Sequence, residues 1–360
     1  MDLALYDADE GFFERGGSAG RAGGDFITSP EVGPLFGACV ARALDSWWEQ
    51  LGAPDPFLVV EAGAGNGRLC REVLRAEPRC LRALRYVLVE RSTELRARQA
   101  DLLPLASGAQ VFGPGAPAAE GELPVPVEEA GPLLAALDEL PARTFDGVVL
   151  ANELLDNLPF DVVERCEDGW REVRVASDDR DALVEMLVPA SDELAGWFEG
   201  VDAPVGVRLP AQRAVEAWLQ SCSAMLHRGV VALIDYAGDA GALAARSPRW
   251  LRTYRRHGPG LPALETPGEQ DITSDVLVDT LVRSATRAGL SVRSQRSQAQ
   301  WLADLGIDEL VEEGRRAWEQ GAAEGGLAAL AGRSRATEAA ALTDVGGLGA
   351  HTVVELAKGR

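Results

Sequence analysis

The segment that most constrains this chain is FLVVEAGAGNGRLCREVLR, residues 57–75, an apolar run ending in an acid, then glycines at 63, 65 and 67, then a helical pattern. A short and wholly apolar run suits a strand buried on both faces, as in a parallel sheet. At the carboxyl end of such a strand the chain must turn sharply and leave its backbone open to a ligand, which side chains would obstruct. Gly63, Gly65 and Gly67 supply that space, so the loop from Glu61 to Gly67 is the expected small-molecule seat.

The rest of the chain repeats the alternation. Residues 57–60, 86–89, 145–150, 230–234 and 352–356 read as buried strands, and 68–75 and 93–103 as helices, which predicts an α/β fold around a parallel sheet. Ser29-Pro30-Glu31 predicts a helix start, and apolar positions 35, 36, 39, 40, 43, 44 and 47 carry one helical face to about Gln50. The Pro-, Gly- and Ala-rich stretch 113–126 is expected to be a surface loop. Between Val162 and Pro189, apolar and polar residues alternate around Glu167-Asp168-Gly169, the pattern of an antiparallel hairpin. The expected division is an N-terminal extension over 1–56, a first core part over 57–161, an inserted lobe over 162–228, and a second core part over 229–360 with a lid loop at 237–272.

Which ligand the glycine loop takes can be narrowed. A dinucleotide loop would place its third glycine at 68, where this chain has Arg68, and the acid closing the next strand, Glu90, lies 27 residues after Gly63. Roughly 20 is the usual interval for the nucleotide ribose contact. A ligand without phosphates fits better: Glu61 is suited to the ammonium of a methionine-like group, Glu90 to ribose hydroxyls, and the loop amides to the wall of an adenosine. The plainer alternatives are a purely structural turn and a surface acid at Glu90.

A second cluster follows a later strand. GVVLANELLDNLPF puts Asn152, Glu153, Asp156 and Asn157 where open α/β sheets bind substrates. One alternative is a helix cap at Asn152, with Glu153 and Asp156 solvated. The functional alternative is nitrogen methylation. Carboxylates can hold a guanidinium fork bidentately and direct one nitrogen at a sulfonium methyl, a displacement in which orientation is most of the catalysis. Glu153 is the first choice for that carboxylate and Asp156 the second, with Asn152 beside them.

A net charge of −21 opposes binding to phosphate backbones or anionic membranes and favours a cationic partner. The five cysteines are scattered without a CxxC and the three histidines are isolated, so no metal site is expected and the thiols should be reduced. The N-terminal residues MDLALYDADEGFF lack a basic region and an apolar run, and no stretch reaches the roughly 18 apolar residues of a membrane span, so a cytoplasmic location is expected.

Taken together, Leu5-Tyr6-Asp7 with Gly11-Phe12-Phe13, GDFITSPEVGPLFG, EAGAGNGRL, LVERS, ANELLDNLPF, ALIDY, PGEQDIT and DVGGLGAHTVVEL span nearly the whole chain. In these motifs the chain resembles the MidA-like class I methyltransferases, whose mitochondrial members methylate an arginine of a partner subunit. The resemblance implies a Rossmann-like seven-stranded core with an N-terminal helical extension and an inserted β-hairpin/helical substrate lobe. It further implies S-adenosyl-L-methionine as cofactor and a protein substrate. Asp25, Thr28 and Ser29 become candidates for lining the cofactor or target site, against a plain helix cap at Ser29. The chain departs from the family pattern at Ala237, where glycine is usual after Asp-Tyr, and at Asp275-Val276-Leu277-Val278, which replaces a His-Val-Asp-Phe run. A small-molecule methyltransferase and a chaperone-like module that binds the cofactor without turnover are the competing readings. His257, near Tyr254, is a candidate lid residue.

Overall fold

The computed structural model describes residues 1–15, 28–112, 130–255, 258–321 and 327–359. Asp25, His257 and the loop expected at 113–126 lie outside the described residues. Internal contacts divide the chain into two units. One takes in the described residues of Ile27–Asn152, Ala224–Ile234 and Arg293–Arg360, the other those of Met1–Phe26, Glu153–Ser223 and Asp235–Val292.

The first unit is built on a seven-stranded sheet. Its strands are β1 (Phe57–Ala62), β2 (Leu84–Val89), β3 (Leu133–Leu137), β4 (Phe145–Asn152), β5 (Leu226–Asp235), β6 (Ser291–Ser297) and β7 (Thr352–Lys358). They lie in the order β6-β7-β5-β4-β1-β2-β3. The pairings β1–β2, β2–β3, β1–β4 and β4–β5 are parallel. All six residues of β1 and of β2 are buried, which is why these strands read as largely apolar, with Glu61 and Arg85 the charged exceptions. Helix Pro34–Gln50 turns Leu35, Phe36, Cys39, Val40, Leu44 and Trp47 into this core. Each such side chain contributes on the order of 1.5–3 kcal/mol when removed from water.

The single helix expected from Ser29 is interrupted. Ser29–Val32 and Pro34–Gln50 are separate helices that meet at Gly33. Pro34 breaks the helix, having no N–H to donate and disfavouring helical backbone at Gly33. Glu338 caps the second helix: its carboxylate accepts from the N–H of Leu35 at 2.9 Å. That carboxylate also occupies the place where a Cβ on Gly33 would stand, so only glycine admits it there. Ser29 does not cap the first helix. The N-cap is Thr28, without a side-chain bond, and the Ser29 hydroxyl, fully buried, donates to Oε1 of Gln298 at 3.0 Å.

The second unit holds an antiparallel four-stranded sheet in the order 183–189, 169–177, 161–166, 208–211. Cys166 pairs with Gly169 across a two-residue turn, the hairpin that the alternation predicts. One face of this sheet closes over Val163, Leu194, Trp197, Phe198, Leu209 and Trp250. The segment 237–272, expected as a lid, carries the short helix Ala240–Ala245 and the strand Leu251–Arg255, which pairs antiparallel with Asp271–Ser274. Helix Val278–Arg287 follows.

Candidate functional site

In the seven-stranded unit, β1 ends at Glu61-Ala62 and the chain enters the glycine loop tied to its neighbour: the N–H groups of Gly63 and Ala64 both donate to the carbonyl of Val89, at 2.9 and 3.0 Å. Gly63, Gly65 and Gly67 have φ of 70, 52 and 80°, left-handed values that side chains resist. The glycines nevertheless differ in their surroundings. A Cβ on Gly67 would stand 3.0 Å from Leu103 and 3.2 Å from Leu88, whereas a Cβ on Gly65 would meet nothing within 4 Å among the described residues. Gly67 is therefore a packing glycine, and Gly65 presents bare backbone to open space.

Two carboxylates flank that bare backbone. Oε2 of Glu90 accepts from the N–H of Gly65 at 2.9 Å and Oε1 accepts from the N–H of Ser92 at 2.9 Å. Glu61 is 4% exposed and accepts from the phenol of Tyr86 at 2.8 Å. Burial pushes Glu61 up to about 8, the Tyr86 bond opposing this and the Glu90 charge adding to it. Burial also raises Glu90, against the N–H bonds it accepts. Gln99 completes the cradle: its amide donates to the Gly65 carbonyl at 2.7 Å, and its own Oε1 is buried with no hydrogen-bond partner among the described residues.

Acids raised by burial, beside an amide oxygen without a hydrogen-bond partner among the described residues and an open glycine, form a seat for a cationic nucleoside and repel phosphate. The residues present fit S-adenosyl-L-methionine. A surface cavity on the Asn66 side of the loop is lined by Arg68, Arg71 and Arg98. Their guanidinium groups already pair with Glu31, Glu72 and Glu94, so it offers no strong anion site.

The other unit contains the acidic turn. Asn152 closes β4 opposite Ile234 in the sheet. The chain then passes through Glu153, whose φ of 52° is left-handed, into the 3-10 turn Leu155–Asn157. This turn is not capped by Asn152; Asp156 is buried and Glu153 half-buried. Asp235 takes the cap: Oδ2 accepts from the N–H of Leu155 at 2.8 Å and of Asp156 at 3.2 Å, while Oδ1 accepts from the N–H of Tyr236 at 2.8 Å. Asp156 is 6% exposed, and its Oδ1 has no hydrogen-bond partner among the described residues. Asn157 serves the structure of the turn, since its amide donates to Oδ1 of Asp271 at 2.9 Å and its carbonyl accepts from the phenol of Tyr6 at 3.1 Å.

The acids act on one another. Burial raises Asp156, with Arg252 pulling down and Asp275 pushing up. Asp235 is raised by burial, then by the charges of Asp156 and Glu153, against the N–H groups it accepts. These two carboxyls titrate together. Since Asp235 holds three backbone donors and Asp156 has an uncommitted oxygen, we place the first proton on Asp156. Sequence reasoning brought out Glu153 and Asp156 but missed Asp235, Asp275 and Arg252 as members of the cluster. Asp235 had a signal, an acid at the end of a buried strand; Asp275 and Arg252 had none.

Among the described residues, no group of three or more His, Cys, Asp or Glu is placed to hold a metal ion, and no helix is long and apolar enough to cross a membrane. The five cysteines are free thiols.

Residues 39–295 match the model of a family described as "Putative S-adenosyl-L-methionine-dependent methyltransferase". The chain is 25% identical over 291 residues to the Drosophila melanogaster protein arginine methyltransferase NDUFAF7 homolog, mitochondrial, covering 77% of this chain and 63% of that protein. It is 28% identical over 298 residues to the Xenopus tropicalis protein arginine methyltransferase NDUFAF7, mitochondrial, covering 79% and 66%. The chain thus spans just under two thirds of the length of these relatives. A Burkholderia thailandensis protein, described as a "likely methyl transferase" and solved bound to S-adenosyl-homocysteine, superposes with a TM-score of 0.80 at 30% identity, covering 99% of this chain and 86% of that one. The seven-stranded methyltransferase fold that the resemblance implied is therefore present. The relatives correct the cytoplasmic expectation: they are named mitochondrial, so the lack of a basic leader in the first residues is no ground for placing the chain in the cytoplasm.

Proposed function

The chain belongs to the S-adenosyl-L-methionine-dependent methyltransferase family, and on that premise we propose that it methylates an arginine nitrogen of a protein. The observation that carries the cofactor side is the open backbone at Gly65, held between the hydrogen-bonded Glu90 and the buried Glu61. In this reading Glu61 meets the ammonium of the cofactor, Glu90 accepts from its ribose hydroxyls, and Gly63, Gly65 and Gly67 let the backbone approach. When bound, the cofactor supplies a methyl group already activated by the sulfonium charge.

The acceptor side rests on Glu153 and Asp156, with Asn152 as a neighbouring amide. Asp156 offers a buried carboxyl oxygen without a hydrogen-bond partner among the described residues, which suits a guanidinium donor, and Glu153, three positions before it in the chain, is held at a strained φ. A guanidinium stays protonated near neutrality, so these carboxylates work by orienting one nitrogen and not by strong-base catalysis. Thr28 and Ser29 are not needed for this reading, because Ser29 is buried against Gln298. The relatives named as protein arginine methyltransferases support arginine as the target. The test is isotopic: purified chain, labelled cofactor and a cell extract, with mass spectrometry of the labelled product. Label on arginine side chains is expected. Label confined to another residue type or to a small molecule would refute the arginine assignment.

A further inference from the structure

The acidic turn is connected to a cation that the proposed function does not use. Strand Leu251–Arg255 pairs with Asp271–Ser274 in the register Arg252↔Thr273, with Asp275 the next residue in the chain. Asp275 is 1% exposed and is clamped from both sides: Arg252 meets Oδ1 at 2.6 Å and Arg246 meets Oδ2. The Arg252 guanidinium also lies over the Tyr236 ring, 4.6 Å from its centroid. Tyr236 donates its N–H to Asp235, whose other oxygen holds the N–H of Asp156. The Tyr236 carbonyl accepts from the N–H of Val276 at 2.7 Å, which ties Asp275 back to the same strand end. Contacts therefore run unbroken from Asp156 through Asp235, Tyr236 and Arg252 to Asp275 and Arg246.

Charge counting gives the chain of contacts a purpose. Asp275 has two guanidinium partners for one negative charge, so one positive charge is left over. Asp156 lies on the turn that Asp235 caps, and it has an oxygen without a hydrogen-bond partner among the described residues. The charges linked to Asp156 come from several elements: Arg252 on strand Leu251–Arg255 and Asp275 beyond Asp271–Ser274 act on it, Asp235 at the end of β5 repels it, Glu153 acts on Asp235, and the phenols of Tyr236 and Tyr254 are raised by the charge of Asp156. Arg252 is the cation among them. An arginine suits the position because its edge can pair with Asp275 while its face packs on an aromatic ring, which fixes the charge in place.

We propose that Arg252 is a positioning residue for the acceptor: a guanidinium fixed on Asp275 and the Tyr236 ring that opposes the repulsion among the acids of the turn, so that the uncommitted oxygen of Asp156 takes the guanidinium of the substrate. This rests on Asp156 being an acceptor carboxylate. Arg252 touches neither substrate nor cofactor in this scheme. It offsets the repulsion of Asp235 and Asp275, and its pairing with Asp275 and its contact with the Tyr236 ring hold its charge in place.

The direct test is infrared titration of the full chain, following the carboxyl band that disappears in Asp156→Asn. In Arg252→Gln the midpoint of that band should rise by about 1 pH unit or more. It should stay near the parent value in Arg252→Lys and move less in Arg246→Gln. An unmoved midpoint in folded Arg252→Gln overturns the proposal, as do equal rises in the Arg252→Gln and Arg246→Gln proteins. Should Arg252→Gln not fold, Tyr236→Leu removes the platform beneath Arg252 and carries the same expectation, and an unmoved midpoint there overturns the proposal as well. A second arm uses the capped tripeptide Gly-Arg-Gly as acceptor. At neutral pH its KM should rise about 10-fold in Arg252→Gln with a smaller change in kcat, and the difference should close as pH rises. If the parent protein does not methylate the peptide, the acceptor reading of Asp156 is in question, while the infrared arm still decides whether Arg252 controls its ionisation.

Discussion

The phenol of Tyr86 donates to Oε2 of Glu61 at 2.8 Å, joining side chains that stand on one face of the adjacent strands β1 and β2. Tyr86 is fully buried and Glu61 nearly so, and a neutral donor offsets only part of what a buried charge costs. The fold consequently favours the protonated form of Glu61 until something positive arrives.

This sets the first prediction. Burial raises Glu61 from the ordinary 4.5 to about 8. Its contribution to stability is whole below its unfolded value and is lost as pH climbs through the folded one. Glu61→Gln, which imitates the protonated form, should match the parent closely at pH 5 and exceed it at pH 8.5 by on the order of a few kcal/mol. The same substitution should weaken S-adenosyl-L-methionine binding at least about 10-fold, since a charge-assisted bond is lost. Thermal unfolding at the two pH values and calorimetry with the cofactor check this. A stability difference that does not change with pH would show that Glu61 is ionised without help.

Gly65 and Gly67 separate folding from binding. Alanine in the left-handed region costs roughly 1–2 kcal/mol. At Gly65 that should be the whole stability effect, because the added methyl meets open space. At Gly67 the methyl also presses on Leu103 and Leu88, at 3.0 and 3.2 Å, so the loss should be greater by about 1 kcal/mol or more. Cofactor affinity should follow the opposite order, with Gly65→Ala losing at least about 10-fold. Denaturant unfolding and calorimetry on both variants give the comparison. Parent-like cofactor affinity in Gly65→Ala would mean that the ligand does not lie against this backbone.

The contrast between these glycines marks how far the sequence could be read. Strand β1, the loop and helix Arg68–Arg75 were legible because an apolar run, spaced glycines and a helical period each have a local cause. Strand Ser291–Ser297 was not, because at the sheet edge it is polar and largely exposed and has no apolar run to show. The helix break at Gly33 did have a local signal in Pro34, but the group that caps the second helix, Glu338, lies some three hundred positions later and left none. In the acidic turn, Glu153 and Asp156 were found from their place after a strand. Arg252 and Asp275 meet only through a strand pairing and a ring contact, which leave no mark on local sequence.

Glu153 combines a left-handed φ of 52° with a place in the acidic cluster, where its charge raises Asp235. Strain of this kind, retained at a residue other than glycine, is expected where the side chain has a use. Glu153→Gly should relieve the strain and leave the protein as stable as the parent or more so, by up to about 1 kcal/mol. Glu153→Gln should stay near the parent, because it keeps the strain. Both should lose methyl transfer to the acceptor by about 100-fold or more while still binding cofactor. Unfolding curves and a labelled-methyl assay on the two variants test the pairing. Full activity in Glu153→Gly would remove this residue from the acceptor site.

Asp235 and Asp156 should make acceptor binding depend on pH. Both carboxyls are raised, chiefly by burial, and the repulsion between them acts on each. A cationic acceptor binds the ionised form of Asp156, so its KM should fall as pH rises through the titration of that group, with a proton released on binding. Asp235→Asn removes the neighbouring charge, which should move this limb of the KM profile to lower pH. It should also cost about 1–3 kcal/mol, because the side chain now accepts through one oxygen where Asp235 accepts from three N–H groups through two. KM measured against pH for an arginine peptide, with unfolding curves for both proteins, gives the two readouts. Asp235 acts as a cap alone if stability falls and the KM limb stays where it was, and in that event the proton does not reside on the Asp156–Asp235 pair.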